Sequence, residues 1–360
     1  MPFKKISIMV KHRLAVPFTD AVLIKLISMI FLFCFINDSG ATGQTRFSQF
    51  YASPLLINPA HTGRFNNKTY RIGGAFRREI NAQEKIYTQS TFFFDSKVLN
   101  KIAPENDCFA IGILGLVEKS ETEGIKNTYI SVSVAYQKAL DDEGKQQLGI
   151  GFQTTFARRK LQKPNLVFED QIMSWINSGY TNIDIFQLGN VDVTYTDLNA
   201  GLVYQGRLNS NNFFAVGISM HHITKPSRTF QGGELNLSRQ FWSHLAWEKN
   251  LSADKKLFTA LLISYSDKSV NDFFAGVTCQ IKINKNNQFI MGAWLRNTVI
   301  RGISIIPVIG LNFNGFAINT SYDVSITSKN TKQKGATEIS LIYSNPISRS
   351  KPYENKFIKF

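Results

Sequence analysis

Among the residues whose types could do chemistry, the adjacent pair His221-His222 comes first, because imidazole serves both as a metal ligand and as a general base. The spacing argues against a shared metal. Successive strand residues point to opposite faces, so one ring is expected to face the inside of a sheet and the other a lipid boundary or a strand end. Serine, histidine and acidic residues are plentiful, yet no Gly-x-Ser-x-Gly elbow or other nucleophile context of a hydrolase appears. Glu169-Asp170 and Asp141-Asp142-Glu143 lack the alternating carboxylates and central glycine of a calcium loop. Asp141-Asp142-Glu143-Gly144 reads as a hairpin turn. Cys108 and Cys279 lie far apart, and whether they pair depends on their Cα separation; no Cys-x-x-Cys or Cys/His cluster has metal-ligand spacing. These residues predict no catalysis, no metal and no cofactor. Arg158-Arg159-Lys160 begins a long loop, either as a solvated basic run or as a contact for acidic lipopolysaccharide.

The elements that must carry these groups repeat with a period of two. In 128–137, Ile130, Val132, Val134 and Tyr136 share one face, while Ser131, Ser133 and Ala135 share the other. In 213–223, Phe214, Val216, Ile218 and Met220 oppose Ala215, Gly217 and Ser219, and in 316–323, Phe316, Ile318 and Tyr322 oppose Asn319, Ser321 and Asp323. One apolar face and one small or polar face is the strand pattern. About fourteen such segments are predicted, near 69–78, 87–94, 109–118, 127–137, 147–157, 192–205, 213–223, 241–248, 257–267, 272–283, 288–295, 305–312, 316–323 and 338–345. Their lengths suit tilted membrane strands, and aromatic residues sit near their ends. The fold class is therefore all-β: an antiparallel transmembrane β-barrel of about fourteen strands. The connections 158–191, 224–240 and 324–337 are among the longest, and all follow odd-numbered strands, as outer loops do when both chain ends are periplasmic.

Ahead of the strands, Lys4, Lys5, Lys11 and Arg13 precede an apolar run from Leu26 to Ile36, and a small-residue stretch ends at Ala41-Thr42-Gly43. That is the order of a cleavable signal peptide, with an apolar core too short to span a membrane. The domain plan is a signal peptide over 1–43, a periplasmic strap or plug over 44–68, an outer-membrane barrel over 69–345 and a tail over 346–360. The chain has 41 Lys+Arg against 26 Asp+Glu, and without residues 1–43 the net charge is about +12. Export argues against nucleic acid as the partner of that charge.

Phe47-Ser48-Gln49-Phe50-Tyr51, Asn58-Pro59-Ala60 and Thr62-Gly63 resemble the N-terminal signature of the PorP/SprF family of outer-membrane proteins, which is attached to type IX secretion and gliding motility. Later blocks match in order. They are Leu148-Gly149-Ile150-Gly151, Phe168-Glu169-Asp170-Gln171, Asp197-Leu198-Asn199-Ala200-Gly201, Gly217-Ile218-Ser219 with His222-Ile223-Thr224-Lys225-Pro226, Tyr322-Asp323-Val324 and Glu338-Ile339-Ser340. The chain departs from the family at His61, where a large apolar residue is common, and at Arg77-Arg78-Glu79-Ile80. The resemblance implies a barrel that supports export or surface anchoring of a type IX-secreted partner such as a motility adhesin. It implies as partners that secreted surface protein, periplasmic type IX or peptidoglycan-linked components, and outer-membrane lipid. It assigns partner binding to Phe47, Ser48, Gln49, Tyr51, Asn58, Pro59, Thr62 and Gly63. The alternative is a passive channel for small or hydrophobic solutes, against which a lumen filled by residues 44–68 would count.

Overall fold

The computed structural model describes residues 47–65, 68–81, 86–98, 106–121, 124–161, 191–227, 236–266, 269–284, 286–298, 302–327 and 333–346. Fourteen strands follow one another: β1 (Lys68–Asn81), β2 (Ile86–Val98), β3 (Cys108–Ser120), β4 (Ile125–Ala139), β5 (Gln146–Leu161), β6 (Val191–Asn209), β7 (Asn212–His221), β8 (Gln240–Asn250), β9 (Lys255–Ser266), β10 (Ser269–Lys282), β11 (Asn287–Thr298), β12 (Gly302–Phe313), β13 (Phe316–Thr327) and β14 (Gln333–Pro346). Each pairs antiparallel with its neighbour in sequence, and β14 returns to β1, so the sheet closes without an edge. Closure matters physically because lipid offers no partner for an unpaired backbone group.

The alternation seen in the sequence sorts outside from inside. On β4, Ile130, Val132 and Val134 are each half exposed, whereas Ser131, Ser133 and Ala135 are buried. Val216 and Ile218 on β7 and Ile318 and Tyr322 on β13 face outward, while Ser219, Asn319, Ser321 and Asp323 face inward. Exposed isoleucine, valine and phenylalanine recur on strand after strand around the cylinder, far beyond the apolar patch a water-soluble surface carries. The solvent of that surface is the membrane.

One rim carries short turns. The β6–β7 connection is residues 210–211 and the β12–β13 turn is Asn314-Gly315, both residues with positive φ, as two-residue hairpins require. Asp141–Gly144 form the β4–β5 turn, where Gly144 N–H donates to Asp141 O at 3.1 Å. The opposite rim carries the two longest connections, 162–190 and 222–239. The other connections of that rim, such as 267–268 and 299–301, are as short as those opposite, so the two long connections decide. Bacterial barrels carry long loops outside, and the rim of short turns where β1 starts and β14 ends is periplasmic. Aromatic pairs ring the outside of that rim, Phe109–Tyr136, Tyr204–Phe214 and Phe316–Tyr343, with centroids 4.5, 5.6 and 4.6 Å apart. Aromatic residues at this level mark a membrane interface.

Two expectations shift. Pairing of β5 with β4 and β6 continues through Leu161, so Arg158-Arg159-Lys160 belong to a strand and do not open a loop. The β13–β14 connection shortens to 328–332 because both strands run past their apolar cores. Backbone pairing needs no apolar side chain, so polar strand ends are invisible to a hydrophobicity pattern. The signal peptide over 1–43, the block Phe168–Gln171 and the tail 347–360 lie outside the described residues.

Candidate functional site

The lumen is occupied by the segment 47–65. Three single 3-10 turns, Phe50–Ala52, Pro54–Leu56 and Pro59–His61, fold it compactly. Proline sits at the first position of the last two turns, where its missing N–H costs nothing. Asn58 caps the third turn: its Oδ1 accepts from Ala60 N–H at 2.9 Å, and Thr62 Oγ1 donates to Pro59 O at 2.8 Å. These bonds explain why asparagine, proline and threonine recur at that spacing. Nearly every residue of the segment is buried against the wall.

The wall holds the segment in three zones. At its start, Ser48 N–H and Gln49 N–H donate to the two carboxylate oxygens of Glu338 at 2.7 and 2.9 Å, and Ser48 Oγ lies 2.8 Å from both oxygens of Asp323. Arg77, with no exposed surface, donates to Ser48 Oγ at 2.6 Å and pairs with Asp323 at 2.7 Å and Glu338 at 3.4 Å. Arg296 pairs with Asp323 at 3.4 Å. In the middle, Asn58 Nδ2 donates to the carbonyls of Leu202 and Ile218 at 3.1 and 3.0 Å, and Ser219 Oγ and His221 Nε2 both donate to Ile57 O. Gln137 Nε2 reaches Ala60 O at 2.8 Å and Gln153 Nε2 reaches Leu55 O at 3.3 Å. Near its end, Gly63 N–H donates to Asp95, which Arg71 holds through two bonds of 3.0 and 2.9 Å, and Lys97 Nζ donates to Phe65 O.

Apolar contacts fill the rest. Phe50 packs edge-on against Trp294 at 5.1 Å and near Phe274 at 5.8 Å, and Tyr51 stacks on Trp294 at 5.5 Å. Phe47 lies with Ala75 and Leu116, and Leu55 with Phe93 and Leu114. Close approach requires glycine at two wall positions. A Cβ at Gly151 would collide with the backbone of Pro59 and Ala60, and one at Gly201 with the Asn58 amide.

His61 closes the last turn of the segment. Its Nδ1 is 3.2 Å from Arg64 Nη1, and its Nε2 is 3.1 Å from His244 Nε2. A guanidinium only donates, so His61 Nδ1 is the acceptor and its proton sits on Nε2, pointing at His244. Burial first, then His244, Arg64 and Arg71, hold the His61 pKa well below the usual imidazole range. An unseated segment takes up a proton below about pH 6.5, whereas the seated one refuses it. Seating is thus fully present above that pH and weakens as pH falls toward 5. We expect amide-exchange protection of 47–65, corrected for intrinsic rates, to drop between pH 7.5 and 5, and His61→Phe to make the drop smaller, with His221 and His244 against the segment carrying the remainder. Equal protection in the unchanged protein at both pH values would refute this.

His221 faces the segment, and His222 follows the end of β7 with a φ of 57°, its Nδ1 2.6 Å from Asp197. With Glu118, Tyr129, Tyr195 and Trp242 they line a cavity of about 80 Å³ near the outer rim. A larger cavity of about 250 Å³ lies toward the periplasmic rim, bounded by Tyr51, Arg64, Phe65 and the ends of β9–β14. The segment separates the two. Among the described residues no three His, Cys, Asp or Glu converge as metal ligands. Cys108 and Cys279, on β3 and β10, are unpaired.

The eight signature residues come together in the lumen, and all but Tyr51 are fully buried. Sequence reasoning named Arg77 only as part of a departing block and missed Arg296, Arg71 and Asp95; their partners lie across the barrel seam, on the adjacent strand or one strand beyond it. It did mark Gly151, Gly201, Ser219, Asp323 and Glu338 as parts of similar blocks without showing that they converge.

The family model for the type IX secretion system membrane protein PorP/SprF matches residues 39–343. The chain belongs to the PorP/SprF family. Its family and fold are those of a secretion-system membrane barrel of the outer membrane. No curated protein matches the chain significantly. Solved structures with a similar fold include the Pseudomonas putida toluene transporter TodX, at 9% identity over 86% of this chain and 96% of that one, with a TM-score of 0.50. The Ralstonia pickettii toluene transporter TbuX is 10% identical over 81% and 92%, with a TM-score of 0.49. At these identities the likeness to TodX speaks for the barrel alone.

Proposed function

We propose that this PorP/SprF barrel anchors a type IX-secreted surface protein, such as a motility adhesin, and supports its export or retention at the outer membrane. The observation that carries this reading is the seated segment. A segment of the chain's own, held in the lumen from β1 round to β14 with separate cavities on either side, narrows any route for solute and favours the rims and loops as working surfaces.

The connections 162–190 and 222–239, together with the outer cavity lined in part by Glu118 and Asp197, are the surfaces for the secreted partner. Periplasmic type IX or peptidoglycan-linked components meet the short-turn rim. Phe47, Ser48, Gln49, Tyr51, Asn58, Pro59, Thr62 and Gly63 serve partner binding through the segment they fold. Direct contact with them requires the segment to leave the lumen.

Deleting residues 164–188 while keeping β5 and β6 intact should release the secreted partner into the medium, with the barrel still heat-modifiable on gels. Unchanged surface display from such a strain would sink the loop assignment.

A further inference from the structure

The outside of the barrel carries a charge pattern that neither the lumen nor the loops explain. Strand register sets Arg78 beside Thr88, Thr88 beside Lys119, Lys119 beside Lys126, and Lys126 beside Lys160, across β1 to β5. Arg158 stands two residues below Lys160 on the same outward face, opposite Thr128. All five cations are substantially exposed, with side-chain exposures of 52% at Lys119, 48% at Arg158 and 43% at Lys160. Like charges directly opposite each other on neighbouring strands destabilise a sheet, and here three lysines do so in a row.

The described residues neutralise only part of this charge. Asp192 takes Arg158 through bonds of 2.8 and 2.6 Å and lies 3.6 Å from Lys160, and Glu121 lies 3.6 Å from Lys119. Arg78 and Lys126 have no carboxylate partner among the described residues. Among the described residues, five cations thus share two carboxylates. Elsewhere around this rim, described outward positions include Phe241, Tyr265, Ile305 and Ile326, with exposed Arg239 just before β8, and the run across β1–β5 is where cations stand side by side in register.

Its height identifies the ligand. From the periplasmic aromatic pair Phe109–Tyr136 to the pair Lys119–Lys126 the register climbs ten residues. That is about 34 Å along the strand and roughly 25 Å along the barrel axis at a tilt of about 40°, which is the height of the apolar band of such barrels. The belt therefore stands where hydrocarbon gives way to the head groups of the outer leaflet. A solvated loop run would lie beyond that level; a protein partner would find the arc already surrounded by lipid.

We propose that the outward face of β1–β5 at the outer rim is a binding site for phosphate groups of the glycolipid that forms the outer leaflet. Lys119, Lys126 and Lys160 bridge to one phosphate-bearing head group, while Arg78 and Arg158 flank it. Lysine acts here as a point charge to phosphate, and its stem lies on the apolar band below.

The test uses the full-length barrel in phosphatidylcholine nanodiscs, with lipid binding read by native mass spectrometry. The probes are bis-phosphorylated lipid A, dephosphorylated lipid A and phosphatidylglycerol. The wild type should bind the bis-phosphorylated form at least tenfold more tightly than either other lipid, and 0.5 M salt should weaken that binding. The triple variant K119Q/K126Q/K160Q should bind it about 100-fold more weakly. A triple variant at the periplasmic rim, K138Q/K256Q/K282Q, should bind as the wild type does. Equal binding of dephosphorylated lipid A by the wild type, a comparison that needs no variant, would overturn the site. So would undiminished binding by a correctly folded K119Q/K126Q/K160Q. Phosphatidylglycerol binding as tightly as lipid A would overturn the assignment to glycolipid.

Discussion

Replacing Arg77 with methionine should cost the barrel about 3–5 kcal/mol, the usual consequence of removing one partner from a buried ionic group. Arg77 is fully buried and stands among Asp323, Glu338 and Glu79, at 2.7, 3.4 and 3.8 Å. Arg296 is the second cation of the group, and it too pairs with Asp323. Without Arg77, three carboxylates share one guanidinium inside a lipid-enclosed wall. The loss is large beside a typical stability of about 5–15 kcal/mol. It also removes the donor to Ser48 Oγ, so the start of the lumen segment loosens with the seam between β1 and β14. Urea unfolding in lipid vesicles, followed by gel mobility, should show the midpoint falling sharply. Arg77→Lys keeps the charge but loses the fork that reaches two acids and a hydroxyl, and should fall between. Adding Asp323→Asn and Glu338→Gln to the methionine variant should recover part of the loss, because neutral amides leave no charge unpaired. If Arg77→Met alone unfolds at the wild-type midpoint, the cluster does not hold the seam.

The barrel was legible because lipid outside and polar wall inside impose a strict two-residue alternation, and every predicted segment overlaps an observed strand. The boundaries were less legible. Lys126 and Arg158–Lys160 extend their strands beyond the apolar band, where pairing persists but hydrophobic alternation stops. Within the segment, Asn58-Pro59 was readable as a turn former from local chemistry, and the structure adds that Asn58 also bonds to the backbone of β6 and β7. The convergence of Gly151, Gly201, Ser219, Asp323 and Glu338 on one short stretch was not readable. Closure brings β1 beside β14, so Arg77 meets Glu338 across 261 residues, and no local pattern encodes such a meeting. The blocks that carry the family likeness are thereby given a shared physical reason: several of them are the wall against which 47–65 is seated.

If that seating closes the lumen, an internal deletion of residues 47–65 should turn a silent barrel into a steadily conducting one. In planar bilayers the intact protein should hold a flat baseline. The deletion should give stable openings, because the wall it bares is lined by Gln137, Gln153, Asn199, Asn319 and Arg71, polar groups that water solvates readily once the segment is gone. The lost contacts include the aromatic cluster around Trp294, so the deletion also lowers stability and could fail to assemble. Gly151→Val supplies the second route. Its branched side chain would enter the space held by Pro59 and Ala60, which are backbone atoms and cannot swing aside. Seating must then give way while the barrel wall, whose hydrogen bonds are untouched, stays closed. Flickering conductance from Gly151→Val and steady conductance from the deletion would place closure in the segment. Steady conductance from the unaltered protein would move the passive channel ahead of the anchoring reading, since a wall this well packed around its own chain should leak only when the segment moves.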